Sequence, residues 1–421
     1  MGSREYPLVL GAVVALNVGF PDPVVATRAG QELPVAYSLP EEPRIQIGTV
    51  DGDGSSLFGV ADAIRLRDGR ILVADGGSGS LKFFDSRGAF VRAVGRAGDG
   101  PGEFRRLGRV AELEGGAVAA LDPLLGRVTV FSPDGGLART HDVSRDFRST
   151  GRSVHLYGFL ANGALVGLEE IEGEGVVEAN YGDFPSSTLT YRAPVVQPVL
   201  IDTLGRTVTF GQSMPGNENL YQRQVSVGSE RIRVGGQTVS APFLRKVAVA
   251  VRGTWIALGP IEGHLVSAFN ARDGVPQGHV AVFGGPPPKE VPQRVQDEWI
   301  DEKVVRFPRR TERRTWRDRY EDFLASAPGP MTFPPFKALA LQEGGAVWRE
   351  VYDPALEEGG PSHWIVTDPS TLGFGGTVVL PPGFRPYDIG RDYVLGGWSD
   401  ELGIEFVRMY DLIEGSSGGQ R

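Results

Sequence analysis

The feature that most constrains this chain is the spacing of its turn glycines. Gly69, Gly116 and Gly163 stand 47 residues apart, and each precedes a short apolar run: Ile71 to Ala74, Ala117 to Leu121 and Ala164 to Leu168. Around the first of them, Leu66 to Phe104 reads as strand, turn, strand, turn, strand and a glycine-rich exit. Ile71-Leu72-Val73-Ala74 ends at Asp75, Leu81-Lys82-Phe83-Phe84 ends at Asp85 and Gly88, and a third run leads into Gly95 to Phe104. Short apolar runs bounded by Gly, Asp and Ser are strands joined by tight turns. One such small sheet cannot bury both of its faces, so the copies must stack on one another.

The pattern continues with Arg252-Gly253 before Trp255 to Leu258, Gly344-Gly345 before Val347-Trp348, and Gly390-Arg391-Asp392 before Tyr393 to Leu395, which makes six units. A period in the forties with four short strands per unit predicts an all-β fold, a six-bladed β-propeller over residues 44–415. Ile45-Gln46-Ile47-Gly48, followed by Asp51 to Gly54, parallels the outer strand of blade one, Val91 to Gly95, with its Asp99-Gly100 loop. It therefore predicts an outer strand without a blade of its own, pairing with the last blade (384–412) to close the ring and remove the open edges.

Two stretches break the repeat. Blade three carries an insertion at 169–190 that holds Glu169, Glu170, Glu172, Glu174, Glu178, Asn180 and Tyr181, and it reads as a solvated loop or the lining of a polar pocket. Between blades four and five, 286–329 reads as helical. Val291, Val295, Trp299, Ile300 and Val304 recur at helical spacing, and Thr311 is placed to cap a second helix with Trp316, Tyr320, Phe323 and Leu324 on one face. Arg309, Arg310, Arg313, Arg314, Arg317 and Arg319 lie on or near the other face, interleaved with Glu312, Asp318, Glu321 and Asp322. That mixture reads first as a solvated, self-paired surface. Read instead as a cap over one propeller face, it offers Arg309, Arg310, Arg313 and Trp316 as binding candidates. Glu169, Glu170 and Asn180 join them from the blade-three insertion.

Chemistry is sparsely marked. The net charge is 43 − 52 = −9, which repels nucleic-acid backbones. There is no cysteine, hence no disulfide, thiolate nucleophile or zinc–cysteine site. The histidines (His141, His155, His264, His279 and His363) show no metal-binding spacing, so a metal site has to be assembled around the axis from different blades. Asp51, Asp53, Ser55 and Asp62 fit an EF-hand count, but Ser56 stands where the sharp turn needs glycine and Asp62 is shorter than the bidentate Glu. The run GRAGDGPGEF lacks the GK[ST] ending of a phosphate-binding loop, and no GxSxG elbow occurs. No cofactor is expected from these residues.

At the N-terminus, the apolar run Leu8 to Phe20 is shorter than the roughly 20 residues of a membrane span. It has the length of a signal h-region, and Thr27-Arg28-Ala29 offers small residues for cleavage. The expected layout is a signal peptide at 1–29, a linker at 30–43, the propeller, and a flexible tail at 416–421. The mature chain is then periplasmic or extracellular, without a membrane span, and a monomer.

GRAGDGPGEF (95–104), followed by an apolar strand, a turn glycine and a phenylalanine-led strand end, is similar to NHL-type repeats. VLGGWSDELGIEFVRMYDL (394–412) resembles the last blade of bacterial six-bladed propellers of the NHL/TolB-like kind. The resemblance covers 44–412 and implies a propeller used as a binding platform, a sensor or occasionally an enzyme. The leading expectation is a non-catalytic module of an exported bacterial protein that binds a small ligand or a protein. The alternative is a lactonase-like hydrolase or lyase with a divalent metal in the central channel. RNA binding, known for some NHL domains, is disfavoured by the acidic balance.

Overall fold

The computed structural model describes residues 34–49, 54–143, 151–171, 177–181, 187–227, 232–241, 243–262, 266–272, 276–282, 289–327, 331–352, 360–369 and 373–415. The expected signal peptide and the tail at 416–421 lie outside these residues.

The repeat begins with its turn. Gly69, Gly116 and Gly163 have φ of +89°, +82° and +87°, and their N–H groups donate to Leu66, Leu113 and Leu160 at 2.9, 3.1 and 2.9 Å. This is one turn built three times, in a left-handed conformation that glycine adopts without strain. It folds Val60–Arg65 back on Ile71–Asp75, which pairs with Ser80–Phe84 and then with Phe90–Val94.

Five further antiparallel sheets repeat this plan. Their first strands are Val110–Glu112, Ser153–Phe159, Val247–Arg252, Phe336–Leu341 and Arg385–Ile389. Each first strand lies against the first strand of the next sheet, and that of sheet six lies against that of sheet one. Backbone bonds tie some of these neighbours: Glu114 N to Ala161 O at 3.1 Å, Ala161 N to Gly253 O at 2.8 Å, and Glu343 N to Ile389 O at 2.8 Å. The chain is a β-propeller. Ile45–Ile47 pairs with Glu405–Asp411 as the outer strand of sheet six, with Ile45 opposite Met409 and Ile47 opposite Val407.

Between each pair of consecutive sheets lies a separate apolar cluster. In Ile71–Asp75, Ile71 and Val73 pack toward sheet six, and Leu72 and Ala74 toward sheet two. A strand covered on both faces needs apolar residues at every position, which explains why the second strands read as unbroken runs rather than alternating ones.

The insertions form a separate unit. Val177–Tyr181, Ser187–Ala193, Asn219–Val227 and Ile232–Val239 build a four-stranded sheet. Helices α1 (Gln293–Val305) and α2 (Arg310–Ser326) pack on it. Leu189, Tyr191, Leu220 and Val239 of the sheet share one core with Trp299, Ile300, Trp316, Tyr320 and Phe323. The helices thus cover this sheet rather than a propeller face, because their apolar stripe requires an apolar partner and this sheet supplies it. Helix α2 starts at Arg310, with Arg309 as an N-cap lacking a side-chain bond, so Thr311 is not the cap.

Part of the expected 30–43 linker is fixed in place. Tyr37–Ser38 pairs with Ile413–Glu414, and Tyr37 stacks on Trp348 at 5.9 Å between ring centroids.

Candidate functional site: the central cavity

The first strands converge on the axis, and their side chains decide whether it is filled. One layer is set by the residues paired with the second strands: Ile64, Ala111, Gly158, Ala250, Ala340 and Asp388. Four of these six are Ala or Gly. Protein interiors are otherwise close-packed, so such a layer leaves a space. The result is a cavity of about 620 Å³ lined by the first strands of all six sheets, within the size range of small-molecule sites.

Its polar groups centre on Asp388. The Oδ2 atom accepts from Arg65 N–H at 3.0 Å and from the Tyr393 hydroxyl at 2.6 Å. Oδ1 accepts from Arg252 Nε at 2.9 Å and Nη2 at 2.6 Å. Arg252 comes from sheet four and Asp388 from sheet six, so this pair reaches past sheet five, whose Ala340 is too small to intervene. Burial works against the Arg252 charge, but the Asp388 carboxylate outweighs it and holds the guanidinium pKa above its usual value. Burial, reinforced by Asp388, pushes the Tyr393 hydroxyl up.

Asp62 plays the matching part in sheet one, two residues before Ile64 on the same strand. Both aspartates directly follow a shift in strand register, between Val60 and Asp62 and between Pro386 and Asp388, and such bulges redirect a side chain. Asp62 Oδ1 accepts from Ala63 N–H at 3.1 Å and Oδ2 from Val110 N–H at 3.0 Å. Arg109 approaches Oδ1 at 3.5 Å. Burial pushes the Asp62 carboxyl up to about 6, with Arg109 opposing. Each aspartate therefore ties its own inner strand to the backbone of the next sheet. Glu112 does the same in reverse, accepting from Arg67 N–H at 2.8 Å.

Arg65 differs from these paired groups. Its guanidinium lies over the Tyr393 ring, 5.0 Å from the centroid, and its ion-pair partner Asp392 is 4.0 Å away with a side chain 71% exposed. Val249, Val251, Leu339 and Leu341 supply apolar wall.

The residues expected from sequence to bind lie elsewhere, and none lines the cavity. Trp316 is 2% exposed in the insertion core and stacks on Phe307 at 5.6 Å. Arg313 Nε donates to Phe307 O at 2.6 Å, Arg309 pairs with Glu312 at 3.5 Å, and Arg310 is exposed at the start of α2. Glu169 and Glu170 belong to strand Leu165–Ile171 rather than to a loop. Glu169 pairs with Arg152, and Glu170 pairs with Arg192 at 2.8 Å and lies 3.5 Å from His155. Asn180 Oδ1 accepts from the Thr190 hydroxyl at 2.7 Å. The sequence reading missed Arg65, Arg252 and Asp388, and met Asp62 only in the EF-hand count. The signal it had was the presence of charged residues inside short inner strands, as in VADAIR and RPYDI. Among the described residues no group of three His, Asp or Glu is placed to hold a metal ion; Asp51, Asp53 and His264 lie outside them.

Residues 51–136 match the model of the DUF5128 family, described as a 6-bladed beta-propeller. No curated protein matches the chain. Among solved structures, the chain is similar to a Bacteroides fragilis protein named as exported, at 13% identity over 90% of this chain and 99% of that one, with a TM-score of 0.46. It is also similar to a DUF4221 family member from Bacteroides vulgatus, at 8% identity over 90% and 99%, with a TM-score of 0.46. A third is the calcium-binding protein regucalcin from Agrobacterium tumefaciens, at 10% identity over 90% and 95%, with a TM-score of 0.31. No helix among the described residues is long and apolar enough to cross a membrane. Strand pairing and the match at 51–136 together describe a β-propeller similar in its first blades to a six-bladed family.

Proposed function

We propose that this chain is a ligand-binding module: a six-bladed propeller, closed by Ile45–Ile47, that takes a small molecule in its central cavity. The observation that carries this reading is the cavity of about 620 Å³, into which arginines and carboxylates from several sheets converge beside Val249, Val251, Leu339 and Leu341. The alternative, a metal-dependent hydrolase or lyase, needs at least three free donors around a common point. Asp62 and Asp388 are already engaged by backbone amides, arginines and a tyrosine hydroxyl, which favours binding over metal chemistry. We further infer that the protein is exported, from the apolar run and small residues before Gly30; mature protein that keeps Met1 to Ala29 when isolated from its host overturns this.

The direct test of the cavity is to fill it. Ala340→Phe places a ring in the layer that lines the cavity. A small-molecule library is screened by thermal shift against wild type and variant. Hits that stabilise wild type and lose their effect on a folded Ala340→Phe support the reading. Hits that stabilise both equally sink it, as does one tightly held divalent ion per chain after dialysis.

A further inference from the structure

Resting on the cavity as the ligand seat, we propose that its ligand is a small organic anion with one carboxylate or phosphate group that docks on Arg65 with Arg252 beside it. Both guanidiniums converge on the same spot: Arg65 lies over the Tyr393 ring at 5.0 Å, and Arg252 Nη2 approaches the Tyr393 hydroxyl at 3.4 Å. Asp388 pairs with Arg252, and Glu343 lies near enough to favour the same charge, so Arg252 is compensated and Arg65 is the guanidinium left to meet an anion. Asp392, 4.0 Å from Arg65 and 71% exposed, forms the kind of solvent-exposed pair that contributes little.

The donor count points the same way. A guanidinium presents five N–H donors in a planar fork, and the Arg65 side chain makes no hydrogen bond among the described residues. A guanidinium held face-on to an aromatic ring keeps its N–H edge available, and that edge matches a carboxylate or phosphate with two parallel bonds. Asp388, by contrast, has both oxygens occupied, so the cluster lacks acceptors rather than donors. Val249, Val251, Leu339 and Leu341 border the same cavity while packing in the cores between sheets, and the lining is more polar than apolar.

The test uses the full chain in isothermal titration with phenylacetate, phenylphosphate, the uncharged phenylacetamide and inorganic phosphate. At least one aryl anion is expected to bind, with phenylacetamide and inorganic phosphate at least tenfold weaker. Comparison of the two aryl anions identifies which acidic group the site takes. Arg65→Gln removes the fork without stranding a buried partner, and should weaken the anion about tenfold or more, as expected for a lost charge-assisted pair. It should leave phenylacetamide unchanged. Arg65→Lys keeps the charge, loses the fork and should fall between. If phenylacetamide binds as tightly as the anions and Arg65→Gln changes nothing while Ala340→Phe abolishes binding, the anion inference fails and the cavity reading survives. If the anions bind equally to all variants, both fail. Failure of every probe to bind overturns the anion inference.

Discussion

Asp62 shows how one carboxyl senses its burial. Its folded pKa of about 6 exceeds the ordinary 3.8, so between those values the folded chain holds more protons than the unfolded chain. Stability must therefore fall as pH rises from about 4 to about 6, and the loss persists above that window. A shift of this size corresponds to roughly 3 kcal/mol. Asp62→Asn removes the titration, so the difference in urea midpoint between wild type and variant should change across this window and stay flat from pH 7 to 8. Parallel profiles for the two proteins would refute the assignment. Asp388 and Arg252 call for a different experiment. Removing Asp388 leaves a largely buried guanidinium and a tyrosine hydroxyl without their partner, and breaking a buried pair in this way costs about 3–5 kcal/mol. Asp388→Ala combined with Arg252→Met should cost less than the sum of the single changes, by at least about 1 kcal/mol in a double-mutant cycle. Additivity would mean that the two do not interact across the cavity.

At the scale of elements, the insertion unit is assembled from three separate excursions of the chain. Two hairpins supply the sheet, and α1 with α2 covers its apolar face with Trp299, Trp316, Tyr320 and Phe323. Deleting Gln293–Ser326 exposes Leu189, Tyr191, Leu220 and Val239 together. A contiguous apolar patch of that kind drives self-association. The helix-deleted chain is expected to elute as oligomers by light scattering; a monodisperse monomer would show that the sheet does not depend on the helices. The arginines of α2 fit this role, since Arg317 bonds Asp301 of α1 and Arg313 bonds the backbone of the connecting turn. They hold the helical pair together.

For the whole molecule, one short strand joins the start of the chain to its last sheet. Ile45–Ile47 completes sheet six, and Ile47 is 1% exposed within the core shared by sheets six and one. Ile47→Asp puts a carboxylate into that core and strips the outer strand from Glu405–Asp411. The burial penalty alone is of the order of several kcal/mol, and the freed strand edge templates aggregation. The expected outcome is a fall in melting temperature with a concentration-dependent loss of solubility. A melting temperature within about 2 °C of wild type would show that sheet six stands without its fourth strand, since even 1 kcal/mol shifts Tm by a few degrees.

The sequence by itself determined the blades. Turn glycines at 69, 116 and 163 and apolar runs covered on both faces are local patterns, and most sheet pairing follows from them because most strands pair with a neighbour in the chain; the strand at 45–47, whose partner lies at 405–411, was legible instead by its likeness to Val91 to Gly95. The two helices were legible for the same reason, through their apolar spacing. What the helices cover was not, because the sheet beneath them is drawn from residues 177 to 239 and nothing in either segment names the other. The candidate site was hidden for a stronger version of that reason. Ala111, Gly158, Ala250 and Ala340 are ordinary strand residues singly, and they make a cavity only when separate sheets place them around one space. Arg252 and Asp388 stand 136 residues apart, and only the packing of sheet against sheet brings the positive charge of one to the carboxylate of another.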